Sequence, residues 1–192
     1  VRNRNAVFAA ADKVKQMMGT HYLRALINNS GISVAGPLQH IDVERFREQQ
    51  EVNVIGVLNV LQAFLPLIGA VAHKTDKVGK VINISSVGGR LARPFYGPYN
   101  ASKHAVEGMT DALRRELLDH GIDAVVIEPG PIQSEIYEKA KHDPVLYEGT
   151  IYHDLYKQKT KFIEFSQKIS IPAIKVAQLI HKTILDDRPP TR

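Results

Sequence analysis

Residues 81–130 read VINISSVGGRLARPFYGPYNASKHAVEGMTDALRRELLDHGIDAVVIEPG. Val81–Ser85 is a short run rich in β-branched residues, the composition of a strand. Ser86–Gly97 holds three glycines and a proline and is a loop. Pro98–His120 carries a long helix that Gly121 stops. Asp123–Glu128 is a second apolar strand, closed by Pro129-Gly130-Pro131. A strand, a helix and a strand, with both strands apolar almost throughout, describe a parallel pair joined by a crossover and covered on both faces.

The same alternation continues on both sides. Upstream, Asn5–Thr20 reads as a helix with Val7, Phe8, Ala11 and Val14 on one face. Tyr22–Asn28 is a buried strand and Gly31–Pro37 a loop. Asp42 caps a helix that runs to about Val71, and His73–Lys77 is a polar link. Downstream, Ile136–Lys168 is less regular, and Ile174–Leu185 is an amphipathic helix. The predicted fold is α/β: a doubly wound parallel sheet in a three-layer α/β/α arrangement, one domain over residues 1–192. Only three strands are visible, and none precedes the first helix. No G-x-G-x-x-G or G-x-x-x-G-x-G turn joins a strand to a helix, and Gly88-Gly89 lacks that spacing. The expectation is an incomplete sheet that lacks its first strands and its last.

Composition narrows the function. The 192 residues are 44% hydrophobic and 23% charged, both ordinary for a soluble α/β protein. With no cysteine, disulfides, thiolate metal sites and cysteine nucleophiles are excluded. The eight histidines show no metal-ligand spacing, so no metal is expected. A net charge of +5 comes from scattered Lys and Arg without interleaved aromatics, which argues against a nucleic-acid partner. Val54–Ala72 is nineteen residues without a charge, long enough to cross a bilayer. Its Asn59, Gln62 and Pro66, and the charged lead-in Asp42–Glu51, point instead to a buried helix and no membrane span. No signal-peptide pattern opens the chain, so a cytoplasmic protein is expected.

Tyr99 and Lys103 lie four apart on the helix and share a face. An ammonium beside a phenol stabilises the phenolate and brings its pKa down from about 10, toward proton exchange with an alcohol or ketone oxygen. Tyr137 and Lys141 repeat the spacing, so spacing alone is weak. What separates the pairs is Ser86, thirteen residues before Tyr99 at a strand's carboxyl end, where parallel sheets place ligands. Thirteen residues before Tyr137 stands Ala124, inside a strand. Ser86 has a second reading as a turn cap, with Ser85 beside it as competitor.

With these residues in view, VINISSVGGRLARPFYGPYNASKHAVEG resembles the active-site region of the short-chain dehydrogenase/reductase family. NNSG at Asn28–Gly31 is similar to the family's N-N-A-G, with Ser30 for alanine. VNVIG, with Asn53, is similar to its helix asparagine segment. EPGPIQS is similar to its P-G-x-x-x-T turn, with Ser134 for threonine. Four motifs in order cover about Asn28 to Ser134.

The resemblance implies a Rossmann-like domain that binds NAD or NADP and interconverts an alcohol and a carbonyl. It implies that Tyr99 is the acid/base and that Lys103 activates it and holds the nicotinamide ribose. Ser86 would hydrogen-bond the substrate oxygen, and Asn53 would hold a relay water. Asn28, Asn29 and Gly31 would line the adenosine side. Pro129, Gly130, Ile132 and Ser134 would face the nicotinamide and phosphates. Asn53 as an ordinary helix asparagine, and Asn28 and Asn29 as turn stabilisers, stand as alternatives. The region 135–170 corresponds to a variable substrate lid, and its aromatics suggest a hydrophobic small-molecule substrate. A homodimer or homotetramer is expected through the helices Asp42–Val71 and Pro98–His120. The competing reading is a non-catalytic truncated scaffold that acts through those helices.

Overall fold

The computed structural model describes residues 1–69, 79–136 and 147–192. Helix α1 is Arg4–Met18, opened by the Asn3 side chain, which accepts from the Ala6 N–H at 3.0 Å. Strand β1 is Ala25–Asn28. Tyr22–Arg24, expected in this strand, precede it, because the Leu23 N–H is spent on Leu67 O at 2.8 Å. Helix α2 is Val43–Gln50, capped by Asp42 as expected. It continues through a wide π turn, Glu51–Ile55, into α3, Gly56–Ile68, which Gly69 ends at φ 101°. The expected single helix to Val71 is therefore interrupted and stops earlier. Val71 itself, the link His73–Lys77 and the pair Tyr137/Lys141 lie outside the described residues.

Strand β2 is Gly79–Ile84, helix α4 Gly97–Glu116 and strand β3 Ile122–Ile127. β2 starts two residues before Val81 because Gly79 and Lys80 pair with Ile122 and Asp123. Helix α4 ends before His120; a 3-10 turn, Leu118–His120, follows. The stretch Ile136–Lys168, expected to be less regular with helical pieces, contains a continuous sixteen-residue helix, α5, His153–Lys168. Helix α6 is Ala173–Leu185.

The described strands form one parallel sheet in the order β1-β2-β3, with Asn28 opposite Asn83 and Ile84 opposite Ile127. Side chains alternate between its faces. On one face Leu26, Val81, Ile122 and Ala124 pack on α3 and α4 through Val57, Leu61, Ile68, Val106 and Leu113. Each such burial contributes about 1.5–3 kcal/mol. On the other face lie Ile27 and Ile84, opposite α6, whose last turn is capped by the buried Lys80, Nζ to Ile184 O at 3.0 Å. The sheet thus lies between helices, as the sequence predicts.

Among the described residues, Val43–Ile68 is long and apolar enough to cross a bilayer. In the fold its inner face is spent on the sheet and on α1, where Ala63 and Leu67 meet Val7 and Ala11. The polar residues that set it apart from a span have partners: Arg4 donates to Asn59 Oδ1 at 3.2 Å and to Gln62 Oε1. A buried polar ladder crosses the sheet into α4. Asn28 Nδ2 donates to Asn83 Oδ1 at 2.8 Å, Asn83 Nδ2 to Thr110 Oγ1 at 2.8 Å, and Thr110 Oγ1 to Val106 O at 2.6 Å.

Candidate active site

The strands are parallel, so their carboxyl ends open on one side. A cleft of about 470 Å³ lies there, between the sheet ends, the start of α4 and α6. Asn29, Gly31, Ser86, Tyr99, Lys103, Pro129, Gly130, Ile132 and Ser134 all line it. The structure brings together nine of the eleven residues singled out in the sequence; the other two, Asn28 and Asn53, stand behind the wall.

Ser86 follows the last turn of β2. Its Oγ accepts from the Gly88 N–H at 3.1 Å and lies 3.5 Å from Pro129 O, so it caps a 3-10 turn, Val87–Gly89, and still borders the cleft. The turn cap is thus present, and it leaves Ser86 at the cleft surface. Ser85 is 3% exposed beneath Gly89, with its Oγ unpaired. Tyr99 sits in the first turn of α4, where Pro98 is tolerated because its missing N–H has no intrahelical partner. Its ring packs on the Gly88 backbone: a Cβ on Gly88 would stand 3.1 Å from Tyr99 Cε1. A side chain there would crowd the Tyr99 ring.

Lys103, one turn further, is 6% exposed; its Nζ donates to Ile84 O at 2.8 Å and lies 5.7 Å from the centre of the Tyr99 ring. Burial lowers its pKa from the ordinary lysine value to about 8, and the Glu107 carboxylate acts in the opposite sense. The ammonium is charged at neutral pH and loses its charge as pH rises through 8.

Asn53 is 1% exposed in the π turn, and its amide is fully engaged. Oδ1 accepts from the Ile32 N–H at 2.9 Å, and Nδ2 donates to Ile32 O and to Ser102 Oγ, both at 3.0 Å. It ties the loop after β1 to α4. Asn53 Oδ1 and Lys103 Nζ both lie within 3.8 Å of the point a Cβ on Gly31 would occupy. Asn53→Ala strands the Ile32 amide, and a loss of about 2–3 kcal/mol in urea unfolding is expected. Asn28, expected on the adenosine side, turns instead into the sheet, as the first rung of the polar ladder.

Sequence reasoning missed several supports. Gln49 is fully buried and holds the same loop, accepting from the Val34 N–H and donating to Ile32 O, each at 2.6 Å. It precedes Asn53 by one helical turn, but among the polar neighbours Glu48, Gln50 and Glu51 nothing in the sequence sets it apart. Ser102 links Asn53 to Tyr99 O at 2.7 Å, and Asn100 Nδ2 holds the loop before α4 through Arg93 O at 2.9 Å. Beside the cleft, Phe95, at φ 65°, meets Tyr156 edge-on at 5.5 Å, and Tyr147 meets Tyr156 edge-on at 4.6 Å. These rings join α5 to the loop before α4. The turn after β3 is pinned to the segment between α5 and α6 by Ile171 N–H to Pro131 O at 3.0 Å. Among the described residues no cluster of His, Asp or Glu is arranged to hold a metal ion.

Residues 1–144 match the short chain dehydrogenase family. The chain is 41% identical over 187 residues to the NADPH-dependent 3-dehydrocapnine reductase of Ornithobacterium rhinotracheale, covering 97% of this chain and 66% of that protein. It is 30% identical over 192 residues to the 3-ketodihydrosphingosine reductase of Bacteroides thetaiotaomicron, covering 100% of this chain and 69% of that protein. The chain thus spans about two thirds of the length of these relatives. In fold it is similar to a short chain dehydrogenase/reductase from Burkholderia phymatum, solved in complex with NAD. The TM-score is 0.78 at 24% identity, covering 99% of this chain and 67% of that one. The match over residues 1–144 and the 41% identity, on a parallel sheet whose open end carries Ser86, Tyr99 and Lys103, make this chain a member of the short-chain dehydrogenase family.

Proposed function

We propose that the whole protein carrying this chain is an oxidoreductase that reduces a hydrophobic ketone to a secondary alcohol with NADPH. One observation carries the reading: Ser86, Tyr99 and Lys103 share one wall of a cleft at the strand ends, with the ammonium 5.7 Å from the phenol ring. The residues present fit a nicotinamide nucleotide. Gly31 and Gly130 leave the backbone approachable, with open space at Gly130. Lys103 and the exposed Asn29 offer donors along the cleft. The nucleotide, when bound, supplies a hydride to the carbonyl carbon. NADPH is preferred because the relative at 41% identity is named for it.

In this reading the Ser86 hydroxyl donates to the carbonyl oxygen and fixes its position. The Tyr99 phenol gives that oxygen its proton as the carbon gains the hydride. Lys103 holds the ribose hydroxyls and, as a cation, stabilises the phenolate left behind. Asn53 braces the loop after β1, so that a water beside Gly31 can return a proton toward Lys103. Asn29, Pro129, Ile132 and Ser134 line the cofactor's path. Helix α5, within the region 135–170, would form part of a lid over an apolar substrate.

Titration of the whole protein with NADPH and NADH, followed by nicotinamide fluorescence, tests this first. Micromolar binding, tighter for NADPH, is expected. A folded protein that binds neither overturns the reading in favour of a scaffold.

A further inference from the structure

Behind the wall that carries Tyr99 and Lys103 lies a buried acidic group with no place in the chemistry above. Glu107 follows Lys103 by one turn of α4, so the two side chains share a face. It is 5% exposed. Its Oε2 lies 3.4 Å from Arg192 Nε, and its carboxyl also meets that of Glu128. Glu128, just past β3, faces the same guanidinium, its Oε1 3.3 Å from Arg192 Nε and 3.9 Å from Arg90 Nε. The Glu128 carboxyl is pushed up from its ordinary value, first by burial and then by Glu107. Asp111 completes the group but is held by Arg192 and Arg114, at 2.7 and 2.6 Å.

Gly89 shows how tightly this group is joined to the site. A Cβ there would lie 2.5 Å from Ser85 Oγ, 3.1 Å from Lys103 O and 3.2 Å from Glu107 Cγ. No side chain can separate Glu107 from the catalytic turn. A carboxylate kept from water at this cost calls for a purpose beyond one ion pair with a one-third exposed arginine. Lys103 supplies one. Its ammonium has been taken out of water, which disfavours its charge, and an anion on the same helix face restores it.

We propose that Glu107 is the positioning residue that sets the charge of Lys103: its carboxylate, held by Arg192 behind the catalytic helix, keeps the buried ammonium protonated where it faces Tyr99. The proposal rests on the role given to Lys103 above. The groups that act on the pair are Tyr99 and Asp111 from α4, Arg90 from the turn after β2, Glu128 from β3 and Arg192 from the carboxyl-terminal segment.

The test is made on the whole protein with two readouts. The first is the titration of the isotope-labelled Lys103 Cε resonance, assigned by its loss in Lys103→Met. The second is the alkaline limb of the pH profile for ketone reduction by NADPH. Glu107→Gln is expected to move both to lower pH by about half a unit or more, and Glu107→Asp to return them toward wild type. Arg192→Gln, which removes the opposing cation at a partly exposed position, is expected to move both to higher pH. Opposite signs distinguish a charge effect from loosened packing, which has no reason to reverse. An unmoved Lys103 resonance in folded Glu107→Gln overturns the proposal. If that variant does not fold, an unmoved resonance in Arg192→Gln does so. A resonance that moves as expected, in a protein that reduces no ketone, upholds the proposal for Lys103 and overturns the oxidoreductase reading instead.

Discussion

Tyr99→Phe is expected to lower ketone reduction by about a hundredfold to ten-thousandfold while NADPH binding stays near the wild-type value. The substitution removes one oxygen and leaves the ring, and it is the ring that packs on Gly88. The cleft wall therefore keeps its shape, and the loss reports the missing proton donor. The check is kcat by NADPH oxidation beside Kd by nicotinamide fluorescence. A variant that retains most of its turnover refutes the acid role. A variant that loses binding in proportion would mean that Tyr99 serves chiefly to hold the cofactor.

Lys103→Met is expected to fail in two separable ways. Loss of donors to the ribose weakens NADPH binding about tenfold to a hundredfold. Loss of the cation removes the positive neighbour that would favour a phenolate at Tyr99. The sign follows. Alcohol oxidation needs the phenolate, so its optimum moves to higher pH. Reduction needs a protonated phenol beside an ammonium, and the wild type should lose rate as pH rises through about 8, where Lys103 gives up its proton. That step should be missing from the variant's profile. Methionine suits the site sterically, since the lysine stem is buried and only its tip reaches Ile84 O. A profile that superposes on the wild type would rule out activation of the tyrosine by this lysine.

The parallel α/β plan was legible because burial on two faces writes itself as apolar runs, and Val81–Ile84 and Ala124–Ile127 are such runs. Strand ends were less legible. Leu23 looks like a strand residue by composition, yet its N–H is committed to Leu67 O, a tertiary choice that no local pattern records. The π turn at Glu51–Ile55 was likewise invisible, since a wide turn needs no special residue and shows only in the bonding of Gly56 N–H to Glu51 O. In the site, the helical period of Tyr99 and Lys103 and the place of Ser86 at a strand end foretold that the three would line one cleft. Residues whose task is support, such as Gln49 and Ser102, were not found. A buried amide that braces a loop has the same letter as an exposed one. Asn28 illustrates the converse. Its position beside the cleft was foreseen, but β alternation turns its side chain the other way, into the ladder with Asn83.

That ladder bears on how the chain reaches its fold. β1 and β2 pair across a separation of 55 residues, so their meeting is a late, non-local event, and apolar strands tolerate misalignment. A slip of two residues would keep the inward faces apolar but set Leu26 opposite Asn83. Asn83 Oδ1 would then be buried without the Asn28 amide that donates to it, at a penalty of about 1–3 kcal/mol. Only the native alignment lets Asn28, Asn83 and Thr110 close together. The three side chains act as a proofreading device for assembly. They reject shifted pairings of the strands, and so fix the height at which Ser85 and Ser86 emerge beside Tyr99.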